Sequence, residues 1–407
     1  TPESADNWLY EVDWRPQVRW GRELAPDYLP TPKEISHSLE PQLSELMGQP
    51  GLEIYGEAFP HLEALSIAYV VSALQQMGWE FSQERNYSTT EIAEQLGIVS
   101  QHQRLLGRIL EMLGEVGLLR QSGQEWQFTQ VPALQNPQEL HTKLLAKYPA
   151  LVAELSLLER CGSRLASVLR GECDPLQLLF PEGDLTTATQ IYQDSPGAQV
   201  MNTLVQKAIC RALEQLPSGR GVRVLEIGAG TGGTTSYILP HLKPEQTEYI
   251  FTDVGALFTT QAAEKFRNYP FLLYQVLDIE KEPSSQGFGL HQYDVIVAAN
   301  VLHATENLRQ TLRHVQQLLA PSGMLLLLEG TARQRWLDLI FGLTEGWWKF
   351  TDWDLRPNYP LLSAEQWQEL LLDMGFQPAT TIAPDQESQG VFLKQAVILA
   401  QAAQTHA

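Results

Sequence analysis

The sequence predicts an α/β protein, with a doubly wound, Rossmann-like parallel sheet in its C-terminal half and a mainly helical lid domain before it. Three observations carry this. From residue 222, apolar runs ("VRVLEIG", "TEYIFTDV", "FLLYQVLDI", "YDVIVAAN", "MLLLLEG") alternate with helical stretches at the spacing of strands joined by crossover helices. The first run enters the glycine-rich turn "GAGTGG". Residues from about 60 to 180 carry helical apolar periodicity punctuated by capping signals.

At 407 residues the chain is long for one domain and comfortable for two or three. Hydrophobic residues at 43% and charged residues at 19% are ordinary for a globular protein. No apolar run reaches the roughly 18 residues of a membrane-spanning helix. The net charge of −20, from 28 basic and 48 acidic residues, argues against a protein that grips phosphate backbones. Cys161, Cys173 and Cys210 show neither metal-ligand spacing nor the even count of a disulfide framework, so a reducing cytoplasm fits and no metal is expected. The opening "TPESADNW" has no initiator Met and no signal core, and reads as a piece of a longer polypeptide.

Residues 1–50 are Pro-rich and lack a sustained period, as expected of a linker or extended segment. The lid domain is placed at 51–180. Within it "LEALSIAYVVSALQQMG" is a strongly apolar helix, and Ser88 with Glu91 has the spacing of a capping box, repeated by Ser100 with Gln103. Leu105, Ile109, Leu113 and Val116 then share one helix face, and "RQSGQEWQFTQV" alternates about a glycine-containing turn as a hairpin does. Helices followed by a hairpin suggest a winged-helix-like portion. From Ser88 to Phe128 it offers few basic residues, so a structural or lid role is expected rather than DNA binding. More helices follow between 137 and 180, and "YQDSPGAQVMN" leads into another near 200.

The core is placed at 181–407. Gly228, Gly230 and Gly232 allow backbone to approach a ligand closely, but G-x-G-x-x-G is satisfied too, so the turn alone does not separate NAD from S-adenosylmethionine. Asp253 ends the second strand, where a carboxylate can accept both ribose hydroxyls. Asp278 ends the third, where it can accept from an adenine amino group; either residue could instead cap a turn. Both together, with Glu226 just before the glycines, favour S-adenosylmethionine. Asn300, closing the fourth strand, joins the cofactor-binding candidates.

His303 follows that fourth strand, in "VLHATENL", and Glu329 ends the fifth. In a doubly wound sheet the fourth strand lies beside the first and the fifth beside the fourth, which brings the two side chains together at the ligand-binding edge. A carboxylate beside an imidazole fixes its tautomer and stabilises the imidazolium, as a general base requires. No N-P-P-[YF] follows the fourth strand, so a carbon or oxygen target is expected rather than nitrogen. An insertion at 333–362 carries Trp336, Trp347, Trp348 and Trp353. It reads either as a satellite core or as the wall of an apolar substrate pocket, with Arg356 available to a polar group. "FLKQAVILAQA" is expected as a final antiparallel strand.

The strings "VLEIGAGTGGTTSYILPHL", "FTDVGALF", "LDIEKEPSSQGF", "YDVIVAANVLHATENL", "LLLLEGT" and "GWW" resemble the C-methyltransferase domains of modular polyketide synthases, over about residues 180–402. The opening "WLYEVDW" is similar to the segment that begins post-acyltransferase regions of such synthases. The resemblance implies a class I methyltransferase core that methylates the α-carbon of a β-ketoacyl thioester on an acyl carrier protein. In it His303 matches the family's base, Glu329 its partner, and Tyr192 a tyrosine near the substrate. Neighbouring synthase domains are implied as further partners, with no nucleic acid and no membrane. A basic patch at the pocket mouth is expected for docking an acidic carrier. A small-molecule O-methyltransferase and a silent scaffold domain are the alternatives.

Overall fold

The computed structural model describes residues 26–49, 51–81, 85–133, 135–384 and 394–404. Residues 1–25, including the "WLYEVDW" segment, lie outside them.

Residues expected as a linker instead form helix α1, Pro32–Met47. Its start is built from a capping box, in which Thr31 and Glu34 satisfy each other's backbone N–H groups, and Pro32 at the first helical position has the required φ. Ile35 and Leu39 are fully buried as α1 packs against helix α7 (Pro196–Leu213), so this stretch is part of the core's outer layer.

The long apolar helix α2 runs Leu52–Gln76. Helix α3 (Thr89–Leu96) begins on the Ser88–Glu91 capping box and ends at Gly97 in the left-handed conformation. The Ser100–Gln103 box does not form. The chain enters α4 (Gln103–Glu115) through a 3-10 turn at Ser100–His102, which leaves Gln103 inside the helix. Strands β2 (Leu119–Ser122) and β3 (Glu125–Phe128) make the hairpin, and a short β1 (Tyr87–Ser88) pairs with β3. Helices α5 (Pro137–Lys147) and α6 (Val152–Gly162) pack on α2.

The main sheet contains β4 (Val222–Ile227), β5 (Thr247–Asp253), β6 (Leu272–Val276), β7 (Tyr293–Ala299), β8 (Leu319–Gly330), β9 (Thr380–Ile382) and β10 (Gln395–Gln401). Its order is β6-β5-β4-β7-β8-β10-β9, with β10 antiparallel to both neighbours. The central strands are buried on both faces, which explains their unbroken apolar runs. The switch point falls between β4 and β7, and both strands end beside the glycine turn. Among the described residues, no helix is long and apolar enough to cross a membrane.

α4 carries its would-be reading face inward. Arg108, only 4% exposed, bonds Asp338 of the aromatic insertion at 2.8 Å and Glu115 at 2.5 Å. Arg333 and Arg335 of the insertion reach back to Glu111 and Glu115. This unit is thereby tied to the insertion by ion pairs, with Arg104 also donating to the Trp348 and Phe350 carbonyls, while Arg120 stays on Gln127 of its own hairpin.

Candidate active site

A cavity of about 600 Å³ opens at the C-terminal ends of β4, β5, β7 and β8, between the sheet and helices α2, α6 and α7. Glu226, Gly228, Gly230, Asp253, Asp278, Asn300, His303, Tyr192 and Trp347 all line it. Gly232, Glu329, Trp348 and Arg356 do not.

The glycine turn works by close approach. At Gly228 (φ +59°) an added Cβ would sit 2.2 Å from Val301 Cγ2, whereas at Gly230 (φ +54°) nothing among the described residues lies nearer than 3.9 Å and the backbone edges the cavity. Gly232 packs against Phe266 rather than lining the cavity, and Gly233 takes its expected place in the lining. Asp253 Oδ2 accepts from Gly230 N–H at 3.0 Å and Oδ1 from Gly255 N–H at 2.9 Å. Burial lifts its carboxyl above the usual range, against those bonds. Asp278 caps its own turn, accepting from Glu280 N–H at 3.1 Å and pairing with Lys281 at 2.9 Å, while still facing the cavity. Glu226 is 1% exposed and accepts from Thr235 at 2.6 Å and Tyr249 at 2.7 Å. Burial pushes it up to about 7. Asn300 adopts positive φ (52°), its N–H donating to Leu328 O at 2.6 Å.

His303 sits in a one-turn 3-10 helix, Leu302–Ala304, immediately past β7. Its Nδ1 lies 2.6 Å from Glu329 Oε2, and Oε1 of the same carboxylate accepts Leu302 N–H at 2.9 Å. Glu329 is fully buried behind the ring. A carboxylate at this position can only accept, an arrangement that favours the tautomer with its proton on Nδ1 and its lone pair on Nε2. Trp347 closes one side, its ring edge-on to His303 at 5.3 Å. Tyr192 packs against Phe341 at 5.8 Å, and burial together with the charge of Glu329 holds its phenol protonated.

Two substrate candidates are corrected. Arg356 is 1% exposed and bonds Asp352 at 2.7 Å, His303 O and Thr305 O at 2.8 Å each, and Glu306 O at 3.2 Å. Its guanidinium pins the His303 loop and has no face for substrate. Trp348 donates Nε1–H to Gly342 O at 2.7 Å and packs in the core. The insertion is thus both satellite core and cavity wall. Trp353 lies outside, half-exposed against Arg104. Among the described residues the cavity lining itself offers little positive charge. Lys349, the lysine there, is paired with Glu280.

Asn202 is a site residue that the sequence reading passes over. Its Nδ2 donates to Tyr192 O at 2.8 Å, and Oδ1 accepts from Thr234 at 2.8 Å, tying the tyrosine segment to the glycine turn. An asparagine within the apolar run "AQVMNTLV" is the available signal.

Residues 225–325 match a family model described as a methyltransferase domain, and 37–126 one described as a methyltransferase helix-turn-helix domain. The non-reducing polyketide synthase prhL of Penicillium brasilianum is 35% identical over 323 residues, covering 78% of this chain and 13% of the synthase. The citrinin polyketide synthase of Monascus ruber is 34% identical over 337 residues, again spanning 13% of its length. The chain is therefore similar to a small part of these long proteins.

Among solved structures, the CurJ carbon methyltransferase is 55% identical with a TM-score of 0.89, covering 92% of this chain and 99% of that one. The citrinin polyketide synthase CMeT domain is 29% identical with a TM-score of 0.80, covering 94% and 100%. The residues present fit the cofactor of such enzymes. An open glycine edge at Gly230, a carboxylate at the end of β5 and a second just past β6 all face one cavity, as a sulfonium nucleoside requires. The chain belongs to the carbon methyltransferase domains of polyketide synthases, and is an S-adenosylmethionine-dependent C-methyltransferase.

Proposed function

We propose that this domain methylates the α-carbon of a β-ketoacyl thioester carried on an acyl carrier protein, with His303 as general base oriented by Glu329. The carrying observation is the 2.6 Å His303–Glu329 pair at the cavity edge beside the glycine turn. Residues 51–180 act as the lid over a core at 181–407, and both contribute to the cavity lining.

A carbon flanked by ketone and thioester carbonyls is acidic enough for an imidazole whose ordinary pKa is about 6.5. Nε2 of His303 takes the α-proton, and Glu329 stabilises the imidazolium while holding the ring through Nδ1. Tyr192, kept protonated by its surroundings, donates toward the enolate oxygen. Glu226, Gly228, Gly230, Asp253, Asp278 and Asn300 would hold S-adenosylmethionine, which would supply an electrophilic methyl group. Arg356 fixes the backbone on which the base stands. The chain's contribution is chiefly placement of reacting atoms.

The test is methyl transfer to a β-ketoacyl carrier protein, with fragmentation of the released chain to locate the methyl. A methyl on the α-carbon, formed faster on the carrier than on a short thioester mimic, supports the reading. Oxygen-bound methyl, or transfer only to free small molecules, overturns it.

A further inference from the structure

The cavity has a second polar end that the proposed reaction leaves unused. Tyr55 and Phe59, one turn apart on α2, both line it. Phe59 meets Trp336 of the insertion edge-on at 6.2 Å. Glu154 of α6 joins them with only 1% of its surface exposed. The Tyr55 hydroxyl donates to Glu154 Oε1 at 2.9 Å. Glu154 Oε2 is buried and has no hydrogen-bond partner among the described residues. The same cavity is lined by apolar side chains, Ile191, Met201, Trp336, Leu337 and Phe341 among them. This wing belongs to the lid and the insertion. Asp253 and Asp278, the nucleoside-facing acids, lie on other elements, at the ends of β5 and β6.

An unpaired buried carboxyl oxygen is destabilising, so a native site that keeps one invites a ligand group to complete it. We propose that Glu154 is a specificity-determining residue, whose free oxygen pairs with a hydroxyl on the acyl chain, so that the pocket selects hydroxylated chains over plain alkyl ones. This rests on the acyl-carrier reading above. Two features favour a hydroxyl. Burial holds the Glu154 carboxyl above its ordinary range, which disfavours a fixed cation as partner. A hydroxyl also suits either state, since it donates to a carboxylate and accepts from a carboxylic acid. Ser195, within reach of both members of the pair and three residues beyond Tyr192, lines the same cavity.

The experiment is calorimetric binding of β-ketoacyl pantetheine thioesters to protein saturated with S-adenosylhomocysteine. Chains are matched in length, with a hydroxyl or a methyl walked along the distal positions. Wild type should bind one hydroxylated chain about tenfold more tightly than its methyl counterpart. Glu154→Gln, which keeps donor and acceptor, should retain the preference, and Glu154→Leu should abolish it. Glu154→Met, of similar length, serves if the leucine variant does not fold. No preference at any position overturns the proposal, as does a leucine variant that keeps it. Weakened S-adenosylhomocysteine binding in that variant would assign Glu154 to the cofactor's ammonium instead, and also overturns it. Binding is read independently of turnover. Preference without methylation would leave this subsite and sink the proposed reaction; methylation without preference would do the reverse.

Discussion

Replacing Glu329 with glutamine changes two atoms' chemistry and almost no volume, so its effect can be worked from the geometry. The wild-type carboxylate accepts twice, from His303 Nδ1 at 2.6 Å and from Leu302 N–H at 2.9 Å. A glutamine has one acceptor oxygen. If that oxygen stays on Leu302, the amide N–H₂ faces Nδ1 and selects the tautomer protonated at Nε2, which is no base. If it turns round, two buried donors face each other, at about 1–3 kcal/mol. Either way the imidazolium loses its counter-charge. Carboxylate-to-amide changes behind catalytic histidines lower kcat by about 10⁴-fold, roughly 5.5 kcal/mol of barrier. The assay is the initial rate of carrier methylation by intact mass, with circular dichroism to confirm folding. Because Glu329 lies behind the ring and does not line the cavity, S-adenosylhomocysteine affinity should be unchanged. Adding His303→Ala to Glu329→Gln should cost little more than His303→Ala alone. A folded Glu329→Gln variant within tenfold of wild-type kcat would refute the reasoning.

Glu226 carries a pH signature. Its pKa rises from the ordinary 4.5 to about 7 on folding, so the folded state holds the extra proton and stability falls as pH rises through that window. Denaturant unfolding of the cofactor-free protein from pH 4 to 8 should show wild type losing roughly 3 kcal/mol relative to Glu226→Gln; parallel curves would contradict this. Arg356→Met should destabilise the fold by about 3–5 kcal/mol, because it strands the buried Asp352 carboxylate and three carbonyls of the His303 loop. A loss below 1 kcal/mol in denaturant titration would show that the clamp is idle. Gly228→Ala must hold alanine at φ +59° against Val301. Strain and overpacking of about 2–5 kcal/mol should weaken S-adenosylhomocysteine binding at least tenfold by calorimetry.

How much of the molecule is legible in the sequence depends on how local each signal is. Strands β4, β5, β7 and β8 are short apolar runs beside strong turn signals, and parallel topology then puts His303 against Glu329 without any further information. The Ser88–Glu91 cap is likewise written in adjacent residues. Helix α1 is hidden because prolines read as breakers, although Pro32 sits at the one helical position that welcomes it. Arg356 is misread because, beyond Asp352 four residues before it, its partners are carbonyls 50 or more residues away, and a backbone acceptor leaves no mark in a sequence. The same holds for Glu154 and Tyr55, 99 residues apart and joined only by the packing of α2 on α6.

The most direct test of the central claim separates proton removal from methyl transfer. A β-ketoacyl carrier protein is incubated in deuterium oxide with the domain and S-adenosylhomocysteine, with no methyl donor, and α-carbon deuteration is followed by mass spectrometry. If His303 is the base, wild type exchanges the α-proton well above the uncatalysed rate, and His303→Ala falls to that background while still binding S-adenosylhomocysteine. A His303→Ala variant that exchanges as fast as wild type would contradict the account and return the His303–Glu329 pair to a purely structural role.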